Sequence, residues 1–572
     1  MPIHNADIAA MFNHIADLLD IKGDNRFRIR AYRDAARTVG ELTGNVAEMV
    51  EEGKDLTALP GIGKDLAAKI REVVDTGTLS YLGELEKEVP ADLAELLKIS
   101  GLGPRKVQTL HTELGITSLA ELEAAVRRHK IRAIAGFGEK TEQNIEEELK
   151  RLTGSAQRLK LAVADQIARP LLAYLRNTKG VKEVAIAGSY RRRQETVGDL
   201  DILVTHTRST EVMERFVSYE DVEKVVSRGK TRSTVLLRSG VQVDLRAVAQ
   251  VSYGAALHYF TGSKAHNIAV RKIAVRKGLK INEYGVFKGK KRIAGRREEE
   301  VYQQVGLPFI PPELRENRGE IEAAGGGRLP KLLTIEHIRG DLHAHTSRTD
   351  GHASLEEMAQ AAKERGYSYL AITEHSKQVT VAGGLNAAQL RAHIGAIDKL
   401  NEKLDGILLL KGVEVDILED GRLDLPDEVL KDLDLTVCSV HSKFNLSRAK
   451  QTERIIRAMD NPNFGILGHP SGRLINERPP YEVDMGQVIK AAAAKKCFLE
   501  CNAHPDRLDL NDTYLKLARD LGVKVAVSTD AHSIAGLDNM RFGIGQARRG
   551  WLEPDDVLNT RSWKELRPLL KR

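Results

Sequence analysis

Three aspartates in the middle of the sequence have the spacing of a metal-dependent site. Asp199 and Asp201 are two residues apart in the run Gly198-Asp199-Leu200-Asp201-Ile202-Leu203-Val204. That run has the apolar, β-branched composition of a strand, so both carboxylates project from one face. Asp244, in Val241-Gln242-Val243-Asp244-Leu245, points away from its flanking valines and completes a cluster of three. Because like charges repel, such a cluster favours two Mg²⁺ ions, which would activate a hydroxyl for attack on a phosphate.

A second set of chemically capable residues fills the C-terminal third. Each member lies at or just beyond the end of a short apolar run that has the length of a strand. The set contains imidazoles and carboxylates but no thiolate, which suits Mn²⁺, Zn²⁺ or Fe²⁺ and predicts metal-dependent hydrolysis of a phosphate ester. The nine residues are His343, His345, Asp350, His375, Glu414, His441, His469, Asp530 and His532.

Three glycine-containing turns near the N-terminus repeat one form. They are Leu59-Pro60-Gly61-Ile62-Gly63-Lys64, Ile99-Ser100-Gly101-Leu102-Gly103-Pro104-Arg105-Lys106 and Ile134-Ala135-Gly136-Phe137-Gly138-Glu139-Lys140. Two glycines directly before a helix let backbone N–H groups approach a phosphate closely. The repeat predicts binding to the DNA backbone through the first two copies, by Gly61, Gly63, Lys64, Gly101, Gly103 and Arg105. The third copy carries Glu139 instead of a basic residue and is predicted to be structural.

The elements that position these residues follow from periodicity. Residues 1 to about 155 have helical spacing throughout, and the next part alternates as strands do, in an α+β pattern. Residues 318–338 are charged and glycine-rich and are predicted to be a linker. From Gly340 onward, apolar runs alternate with amphipathic helices, which predicts a barrel of βα units with ligands at the carboxyl ends of its strands.

The composition is compatible with a folded, DNA-binding protein. The 572 residues are 42% hydrophobic and 29% charged, as in a folded multidomain protein, and the formal net charge of +7 permits an anionic partner. Apolar runs such as Ile407–Leu410 are far too short to cross a bilayer. Three cysteines make no disulfide framework. We expect a monomer in the cytoplasm, associated with the nucleoid, with no membrane partner.

Further motifs resemble family X DNA polymerases over residues 1–317. They are Gly188-Ser189-Tyr190-Arg191-Arg192, then Tyr259-Phe260-Thr261-Gly262-Ser263-Lys264-Ala265-His266-Asn267, then Arg271 and Gly278–Tyr284. By this resemblance Ser189 and Arg192 hold the triphosphate of a deoxynucleotide, and Tyr259 and Phe260 contact its sugar. Asn267 and Arg271 contact the minor-groove side of the new pair, and Gly188, Gly198 and Gly262 complete the nucleotide site. Asp244 would accept the proton of the primer hydroxyl.

The segment Phe27–Arg33, followed by Leu59–Ile70, resembles the small lyase domain of the same family. In that domain a lysine forms a Schiff base with the sugar left after base loss, and Lys69 is the aligned residue. An amine nucleophile must lose its proton, which a neighbouring cation promotes. Because lysines are common on DNA-binding surfaces, a role for Lys69 in DNA binding alone is the favoured interpretation.

The C-terminal third resembles the polymerase and histidinol phosphatase (PHP) family, a distorted (β/α)7 barrel, and all nine ligand positions are filled. The resemblance assigns a first metal to His343, His345, Glu414 and Asp530. It assigns a second metal to Asp350, His375 and His532, and a third to Glu414, His441 and His469. His343, His345, Glu414 and His441 would take part in catalysis.

The predicted domains are two helix-hairpin-helix domains (1–85 and 86–155), a palm (156–260), a thumb (261–317), the linker (318–338) and the PHP domain (339–572). The predicted function is gap-filling DNA synthesis in base excision repair, with a 3'-5' exonuclease as the first hydrolytic activity. Cleavage at abasic sites and removal of 3'-phosphates would use the same metals and stay open here. Its substrates are gapped or primer-template DNA and deoxynucleoside triphosphates. Two alternatives stay open here: a PHP phosphoesterase for small esters on a DNA-binding scaffold, and a DNA scaffold without enzymatic activity.

Overall fold

The computed structural model describes residues 5–40, 46–59, 61–90, 92–97, 99, 102–134, 136–153, 158–206, 209–476 and 478–570. The chain divides at residue 157 into two units, 1–157 and 158–572, which are described separately. Among the described residues, no helix combines the length and the apolar character needed to span a membrane.

The first unit, here called the hairpin unit, is helical throughout its described part. Its first helix has apolar residues three and four apart, such as Ile8, Phe12, Ile15 and Leu19, and all four are fully buried. The helices are α1 (Asn5–Lys22), α2 (Arg26–Gly40), α3 (Val46–Glu51), α4 (Lys64–Thr76), α5 (Ser80–Glu88), α6 (Leu93–Leu96), α7 (Pro104–Leu114), α8 (Leu119–Arg127) and α9 (Glu139–Thr153).

The second unit begins with a five-stranded sheet, the palm, in the spatial order β2-β4-β7-β6-β5. Strands β4 and β7 are parallel, and the other neighbours are antiparallel. Helices α10 and α12 cover its apolar face. The elements are β1 (Leu159–Lys160), α10 (Leu161–Arg176), β2 (Val181–Ile186), α11 (Gly188–Arg191), β3 (Thr196–Val197), β4 (Asp199–His206), α12 (Ser209–Val217), β5 (Val222–Arg228), β6 (Arg232–Leu237) and β7 (Gln242–Val248).

The thumb follows, with a small antiparallel sheet in the order β10-β9-β8. Its core includes Val270, Ile281 and Tyr302. The elements are α13 (Tyr253–Thr261), α14 (Lys264–Arg276), β8 (Leu279–Asn282), β9 (Gly285–Lys288), β10 (Lys291–Ala294) and α15 (Glu298–Val305).

The predicted linker, residues 318–338, is packed and partly helical. It contains α16 (Glu320–Gly325), and Glu320, Ala323, Ala324 and Leu333 are buried. The Glu320 carboxylate lies 2.6 Å from Nδ1 of His266, which is also fully buried. The low apolar periodicity of this segment concealed its packing, because a polar side chain forms one of its main contacts.

The barrel, residues 340–570, is a ring of seven parallel strands in sequence order. A bridge between Ala344 and Ala531 joins the segments that follow the first and last strands, so the ring is nearly closed. The strands are β11 (Gly340–Asp341), β12 (Tyr369–Ile372), β13 (Leu408–Asp416), β14 (Leu435–Ser439), β15 (Ile466–Leu467), β16 (Phe498–Asn502) and β17 (Val525–Ser528). The helices are α17 (Leu355–Glu364), α18 (Ala387–Asn401), α19 (Asp427–Leu430), α20 (Arg448–Ala458), α21 (Met485–Lys495), α22 (Asp512–Asp520), α23 (Met540–Arg549) and α24 (Trp563–Leu570).

Strand alternation builds two apolar layers in the barrel. On β12, Leu370 and Ile372 pack in one core with the surrounding helices, while Tyr369 and Ala371 belong to a second core. With both faces of the strands covered, polar groups concentrate at the strand ends, where the predicted ligands lie.

Candidate active sites

The palm brings the three aspartates together. In the parallel pairing of β4 with β7, Asp201 is directly opposite Asp244, and Asp199 is two residues earlier on β4. Burial, and then the charges of Asp199 and Asp244, raise the pKa of Asp201 to about 6. The cluster therefore carries an excess of negative charge, which divalent cations would balance.

Asp244 is fixed by its neighbours. Its Oδ1 accepts hydrogen bonds from Thr234 Oγ1 (2.6 Å) and from Arg232 Nη2 (3.1 Å). Gln242 Nε2 donates to its other oxygen at 3.3 Å. Asp244 is only 6% exposed, whereas Asp199 is exposed, so the cluster runs from the sheet interior to the surface.

The segment between β2 and β4 carries the predicted triphosphate ligands. Gly188 has a φ of +62°, and a Cβ there would lie 3.0 Å from Asp201 Oδ2. Glycine is thus required beside the carboxylates. Ser189 is half-buried on α11, and a Cβ at Gly198 would lie 3.0 Å from Arg158 Nη1.

Arg192 is already engaged by protein groups. Its Nε lies 2.9 Å from Glu316 Oε1, and its Nη1 donates to the carbonyl of Thr261. The next residue, Gly262, has a φ of +69°, and a Cβ there would lie 3.3 Å from the same Nη1. Arg192 therefore bridges the palm and the thumb.

The predicted sugar and minor-groove residues form one cluster. The Tyr259 and Phe260 rings are 5.0 Å apart, and Arg271 lies 5.9 Å from the centre of the Tyr259 ring. Asn267 Nδ2 donates to the carbonyl of Tyr259 at 2.7 Å. Its buried Oδ1 accepts no hydrogen bond from any described residue, which leaves an acceptor for a ligand.

The described residues of the three glycine turns in the hairpin unit share one backbone hydrogen bond. The N–H groups of Ile62, Leu102 and Phe137 donate to the carbonyls of Leu59, Ile99 and Ile134 at 3.0–3.1 Å. Gly63 and Gly103 are the N-caps of α4 and α7, and Lys64 is exposed. Arg105 is exposed in the first turn of α7, and Gly101 lies outside the described residues.

Lys69 lies in an aromatic and acidic environment. Its Nζ is 2.6 Å from Asp65 Oδ1 and 5.5 Å from the centre of the Tyr81 ring. Arg28 lies 4.9 Å from the centre of the same ring, and Tyr32 is stacked against it. A nucleophilic role for Lys69 would require its amine to leave the ion pair with Asp65.

The barrel gathers all nine predicted ligands at one end of its strands. Among the described residues, potential ligand atoms of all but His469 form three overlapping groups, and within each group the atoms lie within 4.8 Å of one another. One group is His345, Asp350, His375 and His532; another is His343, His345 and Asp530; the last is His375, Glu414 and His441. His345 and His375 each belong to two groups, so the grouping differs in detail from the one that the resemblance implies.

Glu414 is the centre of the barrel cluster. It lies 2.8 Å from His375 Nδ1, 2.8 Å from His469 Nε2 and 3.2 Å from His441 Nε2. Its side chain is 1% exposed. A buried carboxylate surrounded by imidazoles is the usual environment of a shared metal ligand.

The buried ring nitrogens test whether metal ions fit. Nε2 of His343 and both ring nitrogens of His345 make no hydrogen bond with any described residue, although both side chains are fully buried. Burial, together with the rings of His375 and His532, lowers the pKa of His345 to about 3, which leaves its ring neutral. A buried, neutral imidazole beside carboxylates, as His345 is beside Asp530, is suited to binding a metal ion.

Two residues of this site escaped the sequence analysis. Glu500 on β16 accepts from His343 Nδ1 at 2.7 Å and from the backbone N–H of His469, and so orients two ligands. The only signal was a carboxylate inside an apolar run. Arg507 lines the cavity of about 270 Å³ over the cluster. Its buried Nη1 has no hydrogen-bond partner among the described residues.

Comparison with known families assigns each part of the chain. The matching families are a helix-hairpin-helix domain (3–79), a SAM-like helix-hairpin-helix tandem (93–151), the DNA polymerase beta palm (163–247), the DNA polymerase beta thumb (256–316) and the PHP domain (341–504). The chain belongs to the family X DNA polymerases that carry a C-terminal PHP domain.

One relative matches the chain over its whole length. The chain is 39% identical over 574 residues, covering 100% of both proteins, to the DNA polymerase/3'-5' exonuclease PolX of Bacillus subtilis (strain 168). The predicted fold class is confirmed, as is the prediction of a DNA polymerase with 3'-5' exonuclease activity.

Other relatives match a smaller part. A probable phosphatase of Thermoanaerobacter sp. (strain X514) is 33% identical over 232 residues, which are 38% of this chain and 89% of that protein. A probable phosphatase of Acetivibrio thermocellus is 30% identical over 202 residues, 34% of this chain and 78% of that protein. The full-length match disfavours the alternative of a small-ester phosphatase on a scaffold.

Proposed function

We propose that this polymerase fills short gaps during DNA repair through Asp199, Asp201 and Asp244, and that the barrel cluster trims 3' ends. The observation that carries the proposal is the presence in one chain of two chemically different clusters of potential metal ligands. Gapped or primer-template DNA is the substrate of both. The protein would work as a monomer in the cytoplasm, at the nucleoid.

In the palm, the three aspartates would hold two Mg²⁺ ions. When bound, such ions lower the pKa of the primer hydroxyl and neutralise charge on the transferring phosphate. Asp244, held by Thr234 and Arg232, is oriented to receive the proton of that hydroxyl. Gly188 keeps the space beside Asp201 open for the triphosphate.

The nucleotide would bind between the palm and the thumb. Ser189 and Arg192 would hold its triphosphate, because a guanidinium fork matches phosphate oxygens. Tyr259 and Phe260 would form the wall beneath the sugar. Asn267, whose Oδ1 lacks a described partner, and Arg271 would contact the minor-groove side of the new pair.

In the barrel, the nine ligands would hold up to three Mn²⁺, Zn²⁺ or Fe²⁺ ions. When bound, these ions activate water and hold the oxygens of the scissile phosphate. Glu500 orients His343, and Arg507 would bind a phosphate oxygen from the side of the cavity. The same residues would serve cleavage at abasic sites or removal of a 3'-phosphate.

The hairpin unit would hold the DNA through the N–H groups and cations of its first two glycine turns. Lys69, paired with Asp65, is assigned to DNA binding rather than to Schiff-base chemistry. This assignment predicts no borohydride-trapped adduct with a 5'-deoxyribose phosphate.

The test is a gel assay on DNA with a one-nucleotide gap, with Mg²⁺ or Mn²⁺, with and without nucleotides. We expect Asp201→Ala to abolish extension and retain 3' degradation, and His345→Ala to do the reverse. Glu223→Ala, an exposed carboxylate on edge strand β5, and His352→Ala, an exposed imidazole near the barrel cluster, are the matched controls. Degradation at the wild-type rate by His345→Ala would refute the nuclease assignment.

A further inference from the structure

Helix α23 of the barrel lies against the back of the palm segment that carries the predicted triphosphate ligands. Near its start, Arg541 pairs with Asp165, which also accepts from Tyr190 Oη. In the middle, a Cβ at Gly545 would lie 3.5 Å from the side chain of Arg193. At its end, Arg549 Nη1 donates to the carbonyl of Arg192 at 2.9 Å. One helix of the nuclease part therefore supports the palm segment along its length.

A single carboxylate connects Arg549 to the guanidinium of Arg192. Glu316 Oε1 lies 3.0 Å from Arg549 Nη1 and 2.9 Å from Arg192 Nε. Gln194 Nε2 donates to the same oxygen at 2.6 Å. The side chain of Arg549 is only 3% exposed, and Asp512 pairs with its other nitrogen. Two arginines from distant parts of the chain thus share one acceptor.

This sharing determines how strongly Glu316 holds Arg192. The two guanidinium cations on this oxygen repel each other, so removal of Arg549 would take away that repulsion and strengthen the hold of Glu316 on Arg192. Without Arg549, Glu316 would retain Arg192 against the triphosphate. With Arg549 in place, Arg192 keeps its position, but its ion pair with Glu316 is weaker.

We propose that Arg549 of the PHP domain is a positioning residue for nucleotide binding at the polymerase site, acting through Glu316 on Arg192. The inference rests on the proposed role of Arg192 as a triphosphate ligand. It makes nucleotide affinity in the palm depend on a side chain of the nuclease domain. It does not require communication between the two metal clusters.

The experiment measures steady-state nucleotide addition by the full-length protein on DNA with a one-nucleotide gap. We expect Arg549→Ala to raise the KM for the nucleotide about tenfold with kcat within about twofold, the pattern of lost substrate binding. Exonuclease activity should stay at the wild-type level. Adding Glu316→Gln to Arg549→Ala should bring the KM back toward wild type, because the competing charge is gone. A general loss of structure would not be reversed in this way.

Arg548→Ala is the matched control. Arg548 is on the same helix and pairs with Glu313 at 2.7 Å, but no contact described for it joins it to Arg192 or Glu316. We expect its KM to match wild type. If Arg549→Ala does not fold, Arg549→Met keeps the side-chain volume and should show the same rise in KM.

The variant Arg192→Ala distinguishes a failure of the proposed coupling from a failure of the proposed triphosphate role. If Arg192→Ala raises the KM but a folded Arg549 variant does not, the coupling is wrong and the role of Arg192 stands. If Arg192→Ala leaves the KM unchanged, the proposed triphosphate role is wrong and the inference falls with it. If adding Glu316→Gln does not lower the raised KM of Arg549→Ala, the proposed route through Glu316 is wrong.

Discussion

The palm cluster and the barrel cluster both gather acidic side chains, yet only the barrel adds imidazoles. The palm presents three aspartates on a sheet, with Asp199 exposed. The barrel surrounds the buried Glu414 with five histidines, of which His343 and His345 have no exposed side-chain surface. An open set of hard oxygens suits a Mg²⁺ ion that arrives with its nucleotide, whereas a buried set with nitrogen ligands suits ions that stay.

Substitution of the central barrel carboxylate should have the largest effect. We expect Glu414→Gln to lower exonuclease activity at least about 10³-fold, because it removes the charge shared by the metal groups. The purified variant should also contain fewer bound metal ions, measured by inductively coupled plasma mass spectrometry. Asp199→Asn is the counterpart in the palm: it should impair extension and leave metal content unchanged. Equal metal loss in both variants would show that the two clusters do not differ in how firmly they hold metal ions.

Metal exchange should separate the two activities. After chelation with EDTA and dialysis, we expect Mg²⁺ alone to restore extension but not 3' degradation, since Mg²⁺ prefers oxygen ligands and the barrel is rich in imidazole. Mn²⁺ should restore both activities. The measurement is one gel assay with each metal in turn. Full recovery of degradation in Mg²⁺ would show that the imidazoles do not select the metal.

Buried charge also stabilises the molecule away from the two metal clusters. An ion triad joins the palm to the thumb, with Glu298 2.7 Å from Arg191 Nη2 and 2.5 Å from Arg315 Nη1. Burial alone would raise the pKa of Glu298, but the two arginines outweigh it and lower the pKa to about 2. The barrel likewise combines a large apolar cluster with buried charged side chains such as Arg454 and Asp341.

We therefore expect Glu298→Gln to destabilise the protein by about 3 kcal/mol near pH 7. A lowered pKa stabilises the fold above the unfolded value near 4.5, and this contribution disappears as the pH falls toward 2. Thermal unfolding of variant and wild type should differ by a constant amount from pH 7 to about 5, and by less below 4.5. Glu299→Gln, exposed and adjacent, should match wild type throughout. A difference that does not change with pH would contradict the ionic explanation.

The sequence was informative where local periodicity places a residue. The period of two along a strand predicts that Asp199 and Asp201 share a face. Short apolar runs locate the barrel strands, and therefore predict that the histidines which follow them lie at strand ends. It was not informative where distant segments meet. The register that sets Asp201 opposite Asp244, the contact of Glu500 with His343, and the sharing of Glu316 by Arg192 and Arg549 all depend on tertiary packing. None of these contacts leaves a local pattern.

The smallest effect should come from the hairpin unit, which we expect to serve both clusters equally. Lys64 is exposed in the first turn of α4, directly after the glycine turn. Lys64→Ala should weaken binding of gapped DNA about threefold and reduce the salt dependence of binding by about one counterion. At subsaturating DNA, extension and 3' degradation should fall by the same factor, while hydrolysis of p-nitrophenyl phosphate stays unchanged.

The third turn supplies the matched control for this prediction. Glu139 occupies the position of Lys64 there and is also exposed, so Glu139→Ala changes a charge at an equivalent place in a turn assigned to structure. We expect it to leave DNA affinity within about twofold of wild type. If Lys64→Ala lowers only one of the two activities, the hairpin unit presents DNA to a single cluster, and the other cluster must hold its DNA through residues of its own.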